Sequence, residues 1–299
     1  MSDGSAGRAD TRPGIGITVR PEAGVTLAAE VTGGIGAGGP VLVFWPAMGI
    51  PARFYRPFAA ALAARGVTAV VPDIRGQGAS TPGVDRRARF GYHAVSAVDF
   101  PAVLAAVRDR YPDRRVLLGG HSLGGQLSVT FAGRRPAAVD GLVLVAASNP
   151  HFRAQPPLTG AKILLATQVM AAVARLYGYW PGDRLRFMGR QSRVLLRDWA
   201  HLARTGRLEF AGSDGDAAAG LGRSRLPVLS VSVAGDRLAP PSAVDRLVSA
   251  FPAELVTRVH HEPATAVDHV RWVRDPAGIA EYVARWARSV EGGPAPRDG

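Results

Sequence analysis

A serine, an aspartate and a histidine that together can perform nucleophilic catalysis occur in that order along the chain. The serine is Ser122, within GHSLG (residues 120–124), which has the pattern G-x-S-x-G and follows the apolar run VLL (116–118). Such a serine between a strand and a helix is typical of an exposed nucleophile, because glycines leave space where a Cβ would collide. A glycine-rich turn with an N-cap serine is the alternative interpretation.

A serine hydroxyl needs a base, and the base needs an acid that orients it. Asp236 is the first carboxylate after an apolar run at 227–233 and is predicted as the acid, with a simple turn or N-cap role as the alternative. His269 lies in the loop after the last predicted strand (255–261) and is predicted as the base, with His261 next in line.

The negative charge formed during acyl transfer requires two backbone N–H donors. The amide of Leu123, directly after the serine, is the first candidate. Met48, in the loop after the apolar run 41–45, is the second. His121 is adjacent to the serine and therefore excluded as the base. We expect it to pack at the turn, and it is also a candidate for substrate contact.

Alternating strand and helix patterns surround these residues, which predicts an α/β fold with a mostly parallel central sheet and helices on both faces. Apolar runs and turn residues predict strands at 15–20, 25–33, 41–45, 67–72, 115–120, 141–148, 227–233 and 255–261. Helical patterns occupy 54–65, 94–111, 122–134 and 276–288.

The strand pattern stops in one long segment, residues 150–225. We interpret this segment as a helical lid inserted into a core formed by 14–149 and 226–289. The ends, 1–13 and 290–299, are rich in glycine, proline and charge and are predicted to be disordered.

The predicted lid is apolar in part and strongly basic. Tyr179 and Trp180 are candidates for contact with a small acyl substrate, although ordinary packing within the lid explains them equally. Residues 151–225 contain eleven arginines and one lysine against five acidic residues. That charge is compatible with an acidic carrier protein or an acidic substrate.

The overall composition excludes several other classes. Only Lys162 among the 36 basic residues is a lysine, and the net charge of +12 reflects arginine usage that a GC-rich genome would produce. No zinc-finger spacing or aromatic strip favours nucleic-acid binding. Cysteine is absent, which excludes disulfides and thiolate nucleophiles, and no His/Asp/Glu cluster predicts a metal or other cofactor.

The first residues, MSDGSAGRADTRPG, contain no apolar core of signal-peptide length. The apolar tract at 163–176 is interrupted by polar residues and is expected to be too short to span a membrane. These observations favour a soluble, cytoplasmic protein.

The segment PAMGIPARFYRPFAAALAARGVTAVVPDIRGQGAS (46–80) resembles bacterial α/β-hydrolases of the serine aminopeptidase and monoacylglycerol-lipase-like group, as does YGYWPG (177–182). The resemblance implies the α/β-hydrolase fold and supports the roles assigned above to Ser122, Asp236, His269, Met48 and Leu123. Two departures are Asp268, where many relatives have glycine, and an oxyanion loop without the usual His-Gly pair. Asp73 and Arg75, in the same segment, are expected to tie their loop by charged hydrogen bonds.

Taken together, the residues predict a serine hydrolase that cleaves an ester or thioester through an acyl-enzyme. An acyltransferase, a cyclase or a carrier-protein thioesterase would use the same triad. A ligand-binding protein on a hydrolase scaffold is the non-catalytic alternative.

Overall fold

The computed structural model describes residues 16–34, 38–213, 217–264 and 268–290. The ends predicted to be disordered lie outside these ranges, except for Val290. Within the described residues, one eight-stranded sheet has the order β1-β2-β4-β3-β5-β6-β9-β10. Its strands are β1 (Ile17–Val19), β2 (Leu27–Thr32), β3 (Val41–Trp45), β4 (Thr68–Pro72), β5 (Val116–His121), β6 (Gly141–Val145), β9 (Val228–Val233) and β10 (Val256–His261).

The pairing confirms a mostly parallel sheet. The six strands from β4 to β10 in this order pair in parallel, and β1 and β2 add an antiparallel hairpin at one edge. Every residue of β3, β5, β6 and β9 is buried. Such continuous apolar strands are expected where helices cover both faces of a sheet.

The helices divide between those two faces. They are α1 (Arg56–Ala63), α2 (Tyr92–Ala94), α3 (Phe100–Arg110), α4 (Leu123–Ala132), α5 (Pro157–Tyr177), α6 (Arg193–Thr205), α7 (Ala217–Gly222), α8 (Pro241–Val248) and α9 (Ala277–Ser289). In β3, Val43 belongs to the apolar core that contains α3 and α4, whereas Phe44 belongs to the core that contains α1 and α9. Successive strand side chains point to opposite faces, so one strand supports both cores.

The insertion between β6 and β9 differs from its prediction. It contains α5, α6 and α7, but also an antiparallel hairpin of β7 (Tyr179–Gly182) and β8 (Gly189–Ser192) that the sequence interpretation missed. Each strand has four residues, and glycine and proline interrupt β7, so neither shows the apolar alternation of a longer strand.

Helix α5 is longer than the apolar tract identified in the sequence. Its 21 residues are long and apolar enough to cross a membrane by length and composition. Helical residues on both sides extend the tract at 163–176, and the expectation that it does not span a membrane stays a prediction. Length and composition are weak evidence, since core helices of soluble proteins meet the same criterion.

A buried ion pair ties the loop after β4 to the start of α3. Arg75 Nε donates a hydrogen bond to Asp99 Oδ2 at 2.7 Å, and Arg75 Nη2 also bonds Asp99. Asp73 accepts hydrogen bonds from the backbone N–H groups of Ala52 and Ala79. These contacts confirm that Asp73 and Arg75 hold this loop together.

The Arg75–Asp99 pair predicts a large stability effect. Burial raises the pKa of Asp99 and the Arg75 guanidinium opposes that rise, while Arg75 has a second, more exposed partner in Glu22. We expect Asp99→Ala to lower the free energy of unfolding by about 3 kcal/mol, because it leaves a buried guanidinium short of a partner. Urea denaturation followed by circular dichroism measures this change.

The matched control is Asp183→Ala, which breaks the solvent-exposed pair with Arg190. That loss should be much smaller than the loss in Asp99→Ala, because solvent screens an exposed ion pair. Equal losses in the two variants would contradict a special contribution of the buried pair.

Candidate active site

Ser122 occupies a strained turn between β5 and α4. Its backbone has φ +51° and ψ −115°, a conformation uncommon for a residue with a side chain. Its hydroxyl makes no helix-capping hydrogen bond, which removes the N-cap interpretation. A Cβ on Gly120 would lie 2.4 Å from the Gly124 carbonyl carbon, and one on Gly124 would lie 2.0 Å from the Trp45 oxygen. The glycines therefore provide the close approach that this turn needs.

The structure brings Ser122, His269 and Asp236 into one hydrogen-bonded line. His269 Nε2 lies 2.8 Å from Ser122 Oγ, and His269 Nδ1 lies 2.7 Å from Asp236 Oδ2. Because an ionised carboxylate only accepts, Nδ1–H donates to Asp236 and Nε2 is free to accept the serine proton. This arrangement can activate a serine hydroxyl as a nucleophile.

Asp236 is fixed by its own turn. Its side chain is fully buried, and Oδ1 accepts hydrogen bonds from the N–H groups of Leu238 and Ala239 at 2.9 and 3.0 Å. The other oxygen is left for His269. By contrast His261, the alternative base, packs its ring against Tyr282. The geometry thus favours His269.

One predicted oxyanion donor lies in the first turn of α4 and the other in the loop after β3, and the two segments approach each other where Gly124 faces the Trp45 and Pro46 carbonyl oxygens. Leu123 is the first residue of α4, where backbone N–H groups have no acceptor within the helix. In the other loop, Ala47 N–H donates to Tyr55 Oη at 2.9 Å and Gly49 N–H donates to Gln77 Oε1 at 2.8 Å. Between them, Met48 N–H has no hydrogen-bond acceptor among the described residues. It is therefore available to a ligand.

The β7–β8 hairpin, in the segment predicted as a lid, contacts the loop that carries Met48, which is the predicted oxyanion loop, and the sequence did not reveal this contact. Gln77 Nε2 donates to Gln191 Oε1 at 3.1 Å, and Gln191 Nε2 donates to the Met188 carbonyl at 2.5 Å. A Cβ on Gly49 would lie 2.3 Å from that same carbonyl oxygen. Gln77 therefore holds the loop that carries Met48, and the buried Gln191 in turn holds Gln77.

A groove of about 510 Å³ opens beside this contact. The oxyanion loop, the loop after β4 and the lid hairpin all contribute to its walls, which include Gly49, Gln77, Asp85 and Arg190. No group of three or more potential metal ligands occurs in the part of the chain that the structure describes.

His121 lies beneath the base and is fully buried. Its Nδ1 is 2.8 Å from Tyr55 Oη, its Nε2 is 3.4 Å from Trp272 Nε1, and its ring centroid is 4.8 Å from that of His269. The expectation that His121 contacts substrate is therefore wrong, because its ring has no exposed surface. The expectation that it packs at the turn agrees with this position.

Tyr179 and Trp180 are nearly buried within the hairpin. Trp180 Nε1 donates to the Phe187 carbonyl at 3.1 Å, and the Tyr179 ring packs edge-on against Tyr177. These contacts are ordinary packing within the inserted segment, which was the alternative interpretation of Tyr179 and Trp180. Substrate contact by either side chain stays a prediction.

Comparison with known proteins agrees with this architecture. A family model described as the α/β-hydrolase fold matches residues 40–172. Compared with curated protein sequences, the chain has no match.

Solved structures show the same fold over nearly the whole chain. A thermophilic esterase from Thermogutta terrifontis is 17% identical, with a TM-score of 0.62 over 93% of this chain and 100% of the esterase. The thioesterase domain from the curacin biosynthetic pathway is 17% identical, with a TM-score of 0.57 over 90% and 99% of the two chains. E-2-(acetamidomethylene)succinate hydrolase is 19% identical, with a TM-score of 0.57 over 92% and 99%. The chain thus has the α/β-hydrolase fold.

The Gln77 contact generates a kinetic prediction. Gln77→Ala removes the acceptor of Gly49 N–H and loosens the loop that carries Met48. We expect kcat for a p-nitrophenyl ester to fall about fivefold with a smaller change in KM, since about 1 kcal/mol of hydrogen bonding is lost. Gln77→Glu keeps an acceptor for Gly49 N–H but loses the donor to Gln191 Oε1, so it should recover only part of that kcat. A raised KM with unchanged kcat would instead assign Gln77 to the groove.

His121 generates a pH prediction. Burial, and secondarily the neighbouring His269, hold the pKa of His121 well below its usual value. The unfolded chain therefore binds a proton that the folded chain excludes, and stability falls as pH drops below the unfolded pKa of about 6.5. Relative to His121→Asn, the wild-type free energy of unfolding should fall by up to about 1.4 kcal/mol per pH unit below that point.

Urea unfolding of both proteins at several pH values between about 7.5 and 5 tests this slope. Subtracting the free energy of unfolding of His121→Asn from that of the wild type at each pH removes the contribution of groups that titrate in both proteins. A constant difference across the range would show that His121 does not carry the effect.

Proposed function

We propose that this protein is a serine hydrolase that cleaves a carboxylic ester or thioester through an acyl-enzyme. One observation carries the proposal: Ser122 Oγ, the His269 ring and the Asp236 carboxylate form a continuous hydrogen-bonded line at a strained strand-to-helix turn. Such a line is the arrangement that serine needs for nucleophilic attack. A ligand-binding protein has no need for a serine held in this way.

In the first half of the reaction, Ser122 Oγ attacks the carbonyl carbon while His269 Nε2 takes the hydroxyl proton. The carbonyl π electrons move onto oxygen and form a tetrahedral oxyanion, which the N–H groups of Leu123 and Met48 stabilise. When the tetrahedral species collapses, the bond to the alcohol or thiol breaks. His269 returns its proton to that leaving group, and the acyl group remains on Ser122.

In the second half, a water molecule replaces the alcohol. His269 takes a proton from water, the resulting hydroxide attacks the acyl carbon, and collapse breaks the bond to Ser122 Oγ. The serine recovers its proton from His269, and a carboxylic acid is released. Throughout, Asp236 holds Nδ1–H and stabilises the positive charge that forms on the imidazole.

Two further features support His269 as the group that takes the Ser122 proton and gives it to the leaving group. The second oxygen of Asp236 is occupied by two backbone N–H groups, so the carboxylate has one orientation. Nearby His121 stays neutral because burial lowers its pKa, and therefore adds no positive charge that would oppose the imidazolium.

The finer assignments belong to this proposal as well. The chain is proposed to belong to the serine aminopeptidase and monoacylglycerol-lipase-like group, on the strength of the 46–80 segment. The basic composition of residues 151–225 supports a carrier-protein thioesterase as a second candidate, because an acidic carrier would be attracted to it. Both candidates use the same triad and differ in the leaving group.

Labelling with a fluorophosphonate probe tests the main proposal. We expect stoichiometric labelling of the wild type, because the probe phosphonylates an activated serine, and none of Ser122→Ala. The matched control is Ser128→Ala, which removes a buried hydroxyl on the same helix and should leave labelling intact. Wild-type protein that stays unlabelled, beside an esterase that reacts, would overturn the proposal.

Matched oxygen ester and thioester substrates then determine whether the leaving group is an alcohol or a thiol. Oxygen esters and thioesters that carry the same acyl chain, in a series of increasing chain length, are compared by kcat/KM. A preference for thioesters that grows when the thiol is presented on an acidic carrier protein, and that falls with salt, favours the second candidate.

A further inference from the structure

Exposed apolar side chains are concentrated on the lid. Among the described residues, seven large hydrophobic side chains are exposed by about half or more. Six of them belong to the lid: Leu158, Leu165, Val169, Leu176, Leu185 and Phe187. Isolated exposed hydrophobic residues are ordinary, but a contiguous group marks an interaction surface.

Four of the six form a single stripe along α5. Leu158, Leu165, Val169 and Leu176 are separated by seven, four and seven residues, a spacing that keeps them on one side of a helix. Leu176 is the most exposed, at 88%. The stripe extends over about 27 Å at 1.5 Å per residue.

The opposite side of α5 packs against the protein. Its buried residues are Gly160, Thr167, Met170 and Ala174, and the Gln168 amide donates to the Ala200 carbonyl on α6 at 2.9 Å. The helix is therefore anchored along its inner side, and no described residue covers its outer stripe.

The tip of the lid hairpin adds to the apolar group. Leu185 and Phe187 lie between β7 and β8, and both are exposed by at least 50%. The Phe187 carbonyl accepts the hydrogen bond from Trp180 Nε1, which fixes the backbone of the tip. An apolar pair on an anchored turn is thus presented to solvent.

Positive charge surrounds these apolar side chains. Lys162 and Arg175 are exposed on α5, and Arg184 and Arg186 lie in the hairpin turn beside Leu185 and Phe187. Long basic side chains can place their methylene stems on an apolar surface and their charges at its edge. An apolar helix face with flanking Lys and Arg is the pattern of helices that lie in a membrane interface.

We propose that the outer face of the lid docks on an anionic lipid surface, with α5 parallel to the membrane plane. The apolar stripe would enter the boundary between headgroups and acyl chains, and the basic side chains would contact lipid phosphates. A second copy of the chain fits less well, because twelve basic against five acidic residues in each lid segment would repel one another. The inference goes beyond hydrolysis, since docking does not require the triad.

Co-sedimentation with lipid vesicles tests the proposal. The Ser122→Ala protein is used, so that binding is measured without turnover and independently of the proposed reaction. We expect binding to phosphatidylcholine vesicles that contain about 30 mol % phosphatidylglycerol, weaker binding to phosphatidylcholine alone, and a decline with salt. Adding Leu165→Ser and Leu176→Ser should weaken binding to the anionic vesicles at least about tenfold, because two apolar side chains are lost from the interface.

The matched control is Leu238→Ser, the seventh exposed hydrophobic residue, which lies in the loop after β9. It should bind vesicles as the parent protein does. The lid double variant should give the same far-UV circular dichroism spectrum and urea midpoint as the parent protein, which shows that the fold is intact.

Two results would overturn the proposal. One is absence of vesicle binding by the parent protein, or equal losses in the lid variant and in Leu238→Ser. The other is a dimer in analytical ultracentrifugation that Leu165→Ser/Leu176→Ser dissociates while neither protein binds vesicles, which would assign the stripe to a second copy. Because the vesicle assay omits Ser122, neither result depends on the hydrolase proposal.

Discussion

The backbone of Ser122 is the constraint on which the rest of the structure depends. A positive φ at a residue with a side chain costs roughly 1–3 kcal/mol and persists only where the surroundings enforce it. Here the enforcement comes from the close approach of Gly120 to the first turn of α4 and of Gly124 to the end of β3. The central position of β5, buried on both faces, supplies the rigid support for that turn.

Parallel strands explain how distant residues reach that turn. The strands β5 and β9 end at the same edge of the sheet, so the loop that carries Asp236 begins near Ser122 although more than a hundred residues separate them. The loop after β10 then needs only to bring the His269 ring between the two. Within each loop, backbone N–H groups and buried aromatic rings set the final orientation of the side chains.

Because parallel strands end at one edge of the sheet, the chain order of strands and loops also explains how much of the site could be predicted from the sequence. Ser122, Asp236 and His269 follow apolar runs, so their meeting could be inferred from the chain order of strands and loops. The contacts Tyr55–His121 and Gln77–Gln191 join residues that are 66 and 114 positions apart in the chain. No local sequence pattern predicts either contact. The β7–β8 hairpin was missed for a related reason. Its strands are short and do not alternate apolar and polar residues, and tertiary packing stabilises them.

The contact between Gln77 and Gln191 joins the β7–β8 hairpin to the loop that carries Met48. The hairpin also places the Met188 carbonyl close to Gly49, so its packing restrains the position of that loop. In this chain the hairpin and the Met48 loop therefore form one packed unit rather than two independent modules. A change at Gln191 would leave Gln77 Nε2 without its acceptor, whereas changes on the outer surface of the insertion would leave this contact intact.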